Sequence, residues 1–220
     1  MKRRVGFVTI GQSPRTDVTS DIMGVLGSDI EVVECGALDE LTEEQIKSLA
    51  PVNEDFFVTR LRNGREVRVS VKKIVTLVQG CVKKIEPLVD IVAIICTGEF
   101  PPIESSKPLV KLSTLIESVT RALSVKRLGV IIPDPRQSKM VYEKWKSVAQ
   151  DVKIASASPY TGSEEELVEA ARQMLDRDLI VLDCIGYTTR DKKVVAEVTG
   201  KPVLLPRSIL ALVLRDLDEV

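Results

Sequence analysis

Two cysteines follow apolar runs at matching points in the two halves of the chain. Cys96 comes directly after the run 91–95, and Cys184 comes after the run 179–182 with Asp183 between them. Such short apolar runs are typical of buried parallel strands, and their carboxyl ends form the edge where open α/β sheets bind ligands. One thiolate there could remove a proton from a carbon while the other thiol returns a proton to the opposite face. We therefore predict that Cys96 and Cys184 form a catalytic acid/base pair.

A faint internal repeat supports this matching of the two cysteines. Residues 6–15 and residues 129–137 both read as a strand, then a loop with proline and arginine, then the start of a helix. The first half is the longer one, which predicts an insertion at about residues 37–70. Within it, Asn63 and Gly64 separate two alternating runs, which is the pattern of a β-hairpin.

The order of the predicted elements indicates the fold class. Strand-like runs alternate with helical segments along the chain, as in parallel sheets covered by helical layers. We predict an α/β protein with two pseudo-symmetric lobes, mainly parallel sheets flanked by helices, and a β-hairpin insertion in the first lobe. The first lobe is expected over residues 1–112, completed by residues 206–220, and the second over residues 113–205.

Composition and charge restrict the class of protein. The 220 residues include 31 basic and 32 acidic side chains, a net charge of -1, which is not the charge pattern of a nucleic-acid-binding protein. No apolar run approaches the roughly 20 residues of a membrane-spanning helix, and the first apolar run is too short for a signal peptide. We therefore expect a cytoplasmic protein that binds neither nucleic acid nor membrane. In a reducing cytoplasm its four cysteines should be free thiols, with Cys35 and Cys81 in the core.

The lack of histidine excludes several kinds of active site. No Ser-His-Asp or Cys-His arrangement can form, and without a Cys-x-x-Cys pair the usual zinc ligand sets are missing as well. No glycine-rich nucleotide-binding pattern is present. We expect neither a metal nor a cofactor, so proton transfer must use Cys, Asp, Glu, Lys or Tyr.

Four polar loops are expected to meet at the carboxyl edge of the sheets. The loops are residues 11–16, 96–99, 133–138 and 184–190. Each follows a predicted strand, and the first and third, which are repeat partners, carry Arg15 and Arg136 before a helix N-terminus, a combination that favours anions. We predict a small anionic ligand, a carboxylate, and leave open whether the chain forms a homo-oligomer. The residues predicted to hold the ligand are Gln12, Ser13, Arg15, Thr97, Arg136, Gln137 and Thr188.

Other polar residues near these loops have two interpretations each. The side chain of Asp183 should point to the opposite face of the strand from that of Cys184. It either supports a neighbouring loop or shifts the pKa of the thiol. Glu99 either titrates in the site or lies in solvent, and Tyr187 either shapes the pocket or only packs.

Several segments of the chain resemble the AroM family, and the resemblance covers nearly the full length. They are Thr9-Ile10-Gly11, the charged hairpin insertion, Gly129-Val130-Ile131-Ile132-Pro133, Leu182-Asp183-Cys184-Ile185-Gly186 and Pro202-Val203-Leu204-Leu205. The AroM family looks related to the aspartate/glutamate racemase superfamily. That relation implies two pseudo-symmetric α/β lobes around a cleft, and catalysis by one cysteine from each lobe without metal or pyridoxal phosphate.

The resemblance carries over to the cysteine positions with one departure. Cys96-Thr97 matches the first Cys-Thr step of the superfamily, and Cys184 matches its second cysteine, but Ile185 stands where a threonine is usual. This departure counts against carboxylate binding at that loop. Our first hypothesis is a cofactor-independent racemase or isomerase acting on a small carboxylate. The alternatives are a non-catalytic regulatory protein that binds a small anion, and a decarboxylase or lyase that uses one cysteine.

Overall fold

Strands and helices alternate along the chain in the computed structural model, which describes residues 3–27, 30–53 and 55–217. The strands are β1 (Arg3–Thr9), β2 (Ile30–Gly36), β3 (Phe56–Arg60), β4 (Glu66–Ser70), β5 (Ile91–Ile94), β6 (Leu109–Lys111), β7 (Arg127–Ile132), β8 (Asp151–Ser156), β9 (Leu179–Leu182) and β10 (Val203–Leu204). The helices are α1 (Thr16–Leu26), α2 (Glu43–Ser48), α3 (Val71–Ile85), α4 (Leu112–Ala122), α5 (Ser138–Trp145), α6 (Glu164–Arg172), α7 (Thr189–Thr199) and α8 (Pro206–Asp216).

Two parallel sheets with the same strand order form the frame of the described chain. The first runs β2-β1-β5-β6 and the second runs β8-β7-β9-β10, with each neighbouring pair parallel. Strand β1 therefore corresponds to β7, and β5 corresponds to β9. The predicted fold class is confirmed, and Cys96 and Cys184 follow equivalent strands.

Helices cover both faces of each sheet, which explains why the central strands are apolar without alternation. On one face of the first sheet, Ile74 and Val78 of α3 pack with Val8; on the other, Ile22 of α1 packs with Phe7. Helices α6 and α7 cover one face of the second sheet, and α4 and α5 cover the other. Strands buried on both faces have no polar side to present, so their sequences read as short continuous apolar runs.

Two helices cross from one lobe to the other. Helix α8 follows the last strand of the second sheet, but its Leu210 and Leu214 pack with Val18 and Ile22 of α1. Helix α4 follows the first sheet, and its Ile116 packs into a core of the second lobe. This exchange of helices joins the lobes through apolar contacts. The predicted lobe boundaries at residues 112 and 205 stay a prediction.

The predicted hairpin insertion lies over the cleft between the lobes. Strands β3 and β4 pair in antiparallel fashion between Phe56 and Ser70. The backbone N–H of Gln12, in the first lobe, donates to Arg60 O at 3.3 Å. From the second lobe, Gln137 Nε2 donates to Phe56 O at 2.9 Å. The hairpin is therefore bonded to both lobes.

Two of the cysteines are not free thiols, so that prediction is wrong. Cys35, at the end of β2, and Cys81, on α3, form a disulfide with their Cα atoms 5.6 Å apart. Both are buried in the core, as predicted. The prediction was based only on the reducing conditions of the expected compartment. In the fold, α3 packs on the face of the sheet that contains β2, and this packing brings the two cysteine side chains together.

No helix within the described ranges has the length and apolar character needed to cross a bilayer.

Candidate active site

The two remaining cysteines line one small cavity between the lobes. Cys96 is 8% exposed and Cys184 is 6% exposed, and both sulfur-bearing side chains form part of the wall of a cavity of about 50 Å³. Each residue follows a central strand of its own sheet, so the two sheets present their carboxyl edges to the same space. The predicted convergence of strand ends has brought the two free thiols together.

Each thiol accepts the same kind of hydrogen bond from its own loop. The backbone N–H of Gly98 donates to Cys96 Sγ, and that of Gly186 donates to Cys184 Sγ, both at 3.4 Å. A Cβ at Gly98 would collide with the ring of Phe57, and one at Gly186 with the ring of Tyr160. Glycine is therefore needed at both positions because an aromatic ring closes over each loop.

A buried lysine from the second lobe joins the two cysteine loops. Lys144 Nζ, on α5, donates to Thr97 O at 2.7 Å and to both carboxylate oxygens of Asp183 at 3.1 Å. Trp145 Nε1 donates to Asp183 Oδ2 at 2.7 Å, and Thr97 Oγ1 donates to the Asp183 carbonyl at 3.1 Å. The residues next to Cys96 and Cys184 are therefore tied together by one bonded network. The hydrogen bonds of Asp183 support a neighbouring loop, and its charge also raises the pKa of Cys96.

A buried arginine from the first lobe reaches the other thiol through a tyrosine. Arg15 is held by Asp17 through two hydrogen bonds of 2.9 and 2.8 Å, and it also donates to Thr9 Oγ1. Its Nη2 donates to Tyr160 Oη at 3.3 Å, and that hydroxyl shares a hydrogen bond of 3.6 Å with Cys184 Sγ. Each thiol thus has a cation from the opposite lobe nearby.

Burial dominates the acidity of both thiols. It raises the pKa of Cys96 to about 12, against the opposing effects of the Gly98 N–H and the Lys144 cation. Burial also raises the pKa of Cys184, against the Gly186 N–H, Tyr160 and Arg15. Desolvation disfavours the charged form of an acid, so both thiols keep their protons at neutral pH.

Three of the predicted ligand residues line the thiol cavity and four do not. Arg15, Thr97 and Gln137 form part of its wall together with the two cysteines. Thr97 lies beside Cys96 in sequence, whereas Arg15 and Gln137 come from equivalent loops after β1 and β7. The repeat therefore brings one polar side chain from each of two equivalent loops to the same space.

The other four side chains are used for local structure. Gln12 donates to Leu38 O and accepts from the backbone N–H of Arg62, and Ser13 donates to Asp39. Arg136 is exposed and paired with Asp134. Thr188 caps the N-terminus of α7 in a reciprocal pair with Asp191. None of these four, all within the described chain, forms part of the cavity wall.

Several wall residues were missed from the sequence. Phe57, Val58 and Thr59 of the hairpin form its roof, and Lys144 and Tyr160 come from the second lobe. One signal was available for Lys144: it lies three residues after Val141 and next to Trp145, on the face of α5 that packs inward. Nothing in the hairpin sequence indicates which lobe or cavity it covers.

Solved structures with a similar fold come from enzymes that act on small molecules. Allantoin racemase from Klebsiella pneumoniae is 11% identical, with 98% of this chain and 87% of that chain covered and a TM-score of 0.67. Picrophilus torridus aspartate racemase is 13% identical, with 98% and 94% covered and a TM-score of 0.57. Maleate isomerase from Pseudomonas putida S16 is 14% identical, with 98% and 93% covered and a TM-score of 0.61. At such low identity these similarities establish the fold alone.

The sequence comparisons identify the family. No curated protein matches the chain in sequence. The family model described as AroM protein matches residues 5–217, nearly the whole chain. The resemblance read from the sequence segments is thereby confirmed, and the chain belongs to the AroM family.

Proposed function

We propose that this protein is a cofactor-independent isomerase, of the racemase type, that acts on a small carboxylate. Cys96 and Cys184 are its acid/base pair. The observation that carries the proposal is that the two free thiols, which follow equivalent strands of two sheets, line one cavity. Two thiols that line one space and flank a bound carbon can act on its opposite faces.

One cysteine must first lose its proton to solvent, and the proton transfers that follow need only the two cysteines. One cysteine, as thiolate, takes the proton from the carbon beside the carboxylate, and the electron pair of the C–H bond moves into an enolate. The other thiol gives its proton to the opposite face of that carbon and is left as thiolate. The Gly98 and Gly186 N–H groups, which already bond the sulfur atoms, stabilise whichever thiolate is present.

The charge of the cavity favours a ligand of low charge. Lys144 and Arg15 contribute buried positive charge to its wall, and two backbone N–H groups point at the sulfur atoms. Asp183 and Asp17 balance these two positive charges, and Glu99 also belongs to the wall. Burying a monocarboxylate, or a zwitterion that contains one, therefore costs less here than burying a doubly charged phosphate.

The test is exchange of carbon-bound hydrogen in deuterated water. A thermal-shift screen of amino acids, dicarboxylates and aromatic acids identifies acids that bind, because a ligand of the folded state raises the melting temperature. Bound acids are then followed by proton NMR for loss of the signal beside the carboxylate. The wild type should exchange that proton, and the Cys96→Ser/Cys184→Ser double variant should not. Equal exchange by the double variant would reject the two cysteine roles.

One observation favours a second candidate, a non-catalytic protein that binds a small carboxylate and regulates another process. Burial raises the pKa of both thiols, whereas a catalytic base must lose its proton near working pH. The same exchange assay, repeated with the Cys96→Ser and Cys184→Ser single variants, separates the candidates. A regulatory protein binds an acid without exchange, and a one-cysteine decarboxylase or lyase loses activity in only one of the two single variants.

A further inference from the structure

The wall of the thiol cavity includes residues whose buried polar atoms have no hydrogen-bond partner within the described protein. Among the described residues, the buried side-chain atoms without a hydrogen bond are Thr59 Oγ1, Ser70 Oγ, Gln137 Oε1 and an Arg177 nitrogen. Thr59 and Gln137 both belong to the wall of the cavity that holds the thiols, and they are 1% and 7% exposed. Buried polar groups are nearly always hydrogen-bonded, so a pair in one cavity points to a bound partner.

The orientation of Gln137 determines what that partner must offer. Its amide nitrogen donates to the carbonyl oxygen of Phe56 at 2.9 Å, and a carbonyl can only accept. That bond distinguishes the two ends of the side-chain amide, which are otherwise alike in shape. The free end is therefore the oxygen Oε1, an acceptor. It can be satisfied only by a group that carries an N–H or O–H.

The hairpin keeps this acceptor away from water. Arg68 Nε on β4 donates to Asp134 Oδ2 at 2.6 Å, next to the loop that carries Gln137. On the other lobe, the N–H of Arg62 donates to Gln12 Oε1 at 3.0 Å. Because the roof is bonded on both sides of the cleft, the missing donor must come from inside the cavity, where a bound ligand takes the place of ordered water.

The surfaces around the acceptor are apolar. The cavity wall near the roof includes Phe57 and Val58 from the hairpin, and Met140 and Val141 from α5. A small molecule lying there needs an apolar body to fit the wall and one polar donor to meet Gln137. The Thr59 hydroxyl can donate or accept, so it can form a hydrogen bond with the same polar group of the ligand or with an adjacent one.

We propose that the ligand of the thiol cavity carries, in addition to its carboxylate, an N–H or O–H group that donates to Gln137 Oε1. The proposal rests on the proposed function, because it takes the carboxylate site beside the thiols as given. It assigns Gln137 and Thr59 as residues that determine specificity. It selects acids with an amino, amide or hydroxyl group on an apolar body, and it rejects acids that lack such a donor.

Matched acids test the donor requirement. One series is alanine in both enantiomers, lactate and propanoate; a second is 2-aminobutyrate, 2-hydroxybutyrate and butanoate, and both are kept small to suit the cavity of about 50 Å³. Affinity is measured by protection of Cys96 and Cys184 from iodoacetamide, read by mass spectrometry. In at least one series, a donor-bearing acid should bind the wild type about tenfold more tightly than the donor-free acid, since an unpaired buried acceptor is costly.

Two variants and one control assign that preference to the proposed atoms. Gln137→Met should reduce the preference to about twofold or less, because the acceptor is gone. Thr59→Val, which keeps the shape of the side chain, should reduce it in part. The control is Gln173→Met, an exposed glutamine at the end of α6, which should keep the wild-type preference.

The outcomes separate this inference from the proposed function. Equal binding and thiol protection by donor-free and donor-bearing acids would overturn the donor requirement and leave the carboxylate site standing. A preference that persists in Gln137→Met would overturn the assignment to Gln137. If no acid of either kind protects the thiols, both the inference and the carboxylate site fail. The wild-type series does not depend on the folding of any variant.

Discussion

At the scale of single residues, the acidity of Cys96 is set by competition between burial and two neighbouring charges. Burial raises its pKa to about 12; the Lys144 cation lowers the pKa, and the Asp183 carboxylate raises it. Lys144 and Asp183 are themselves a buried ion pair, so their effects on the thiol largely offset each other. Removing one partner should therefore expose the effect of the other.

The prediction is that neutralising the two partners moves the pKa of Cys96 in opposite directions. Lys144→Met leaves the Asp183 charge alone and should slow iodoacetamide labelling of Cys96 at pH 9 by about threefold or more. Asp183→Asn leaves the lysine and should accelerate labelling by a similar factor of about three. Because the thiol is deprotonated only at high pH, the wild-type rate should rise about tenfold per pH unit between pH 8 and 10.

A structural effect would give a different pattern. If both variants merely loosened the loops, both would expose Cys96 and move its pKa toward the ordinary thiol value. Faster labelling in both variants would contradict the electrostatic account. The Lys144→Met/Asp183→Asn double variant is the matched control, and its pH profile should return toward that of the wild type.

At the scale of secondary-structure elements, the disulfide joins a strand to a helix across the first sheet. Cys35 and Cys81 are separated by 46 residues, and this loop contains the whole hairpin insertion. A cross-link over a loop of this length restricts the unfolded chain, which stabilises the folded state by about 3–4 kcal/mol in the chain-entropy model. The hairpin that forms the roof of the cavity is thus held within a closed loop.

The expected result is two reactive thiols in the denatured, unreduced protein and four after reduction. Ellman's reagent in denaturant measures both numbers directly. The Cys35→Ala/Cys81→Ala variant should unfold at lower denaturant concentration, with a loss of about 2–4 kcal/mol. Four thiols before reduction would show that the cross-link does not form in the purified protein.

Helix capping explains why Thr188 has a structural role. Thr188 and Ser163 are both N-cap residues of capping boxes, with Asp191 and Glu166 as the respective partners. We predict that Thr188→Ala and Ser163→Ala each reduce the free energy of unfolding by about 1 kcal/mol, measured by urea denaturation. Labelling of Cys96 and Cys184 should be the same in both variants. A faster Cys184 rate in Thr188→Ala alone would restore a role for Thr188 in the site.

At the scale of the whole molecule, one buried arginine holds the exchanged helix to both lobes. Arg207 on α8 is 1% exposed and donates to the carbonyl oxygens of Ile185 and Gly186, beside Cys184. It also donates to Asp17 O and to the Asp21 carboxylate on α1. The position of the Cys184 loop therefore depends on a residue near the end of the chain.

Loss of this arginine should weaken the fold and expose the thiol. Arg207→Met leaves buried carbonyl groups without donors, and we expect a loss of about 3–5 kcal/mol in the free energy of unfolding, measured in urea. Labelling of Cys184 should become faster relative to that of Cys96. The control, Arg172→Met, removes an exposed pair with Glu169 and should cost about 0.5 kcal/mol or less. An equal change at both cysteines would indicate general loosening instead.

The sequence alone determined the repeating strands and helices, the hairpin and the equivalence of Cys96 with Cys184. These features follow from apolar periodicity, capping residues and turn residues, and each of these acts between near neighbours in the chain. Ligands of open α/β sheets bind at the carboxyl ends of the strands, and this rule was sufficient to predict that Arg15, Thr97 and Gln137 lie at the cavity.

Only the tertiary structure decided which polar residues face the cavity and which ones serve local structure. A threonine at a helix N-terminus has the same sequence signature whether it caps the helix or binds a ligand, as Thr188 shows. Ser13 instead bonds Asp39, which is 26 residues away in sequence. The partners of Lys144, the hairpin roof and the disulfide depend on contacts between segments far apart in sequence. The spacing of residues in α5 indicates that Lys144 faces inward, but the segments that it and the hairpin contact are fixed by how the lobes and their helices pack.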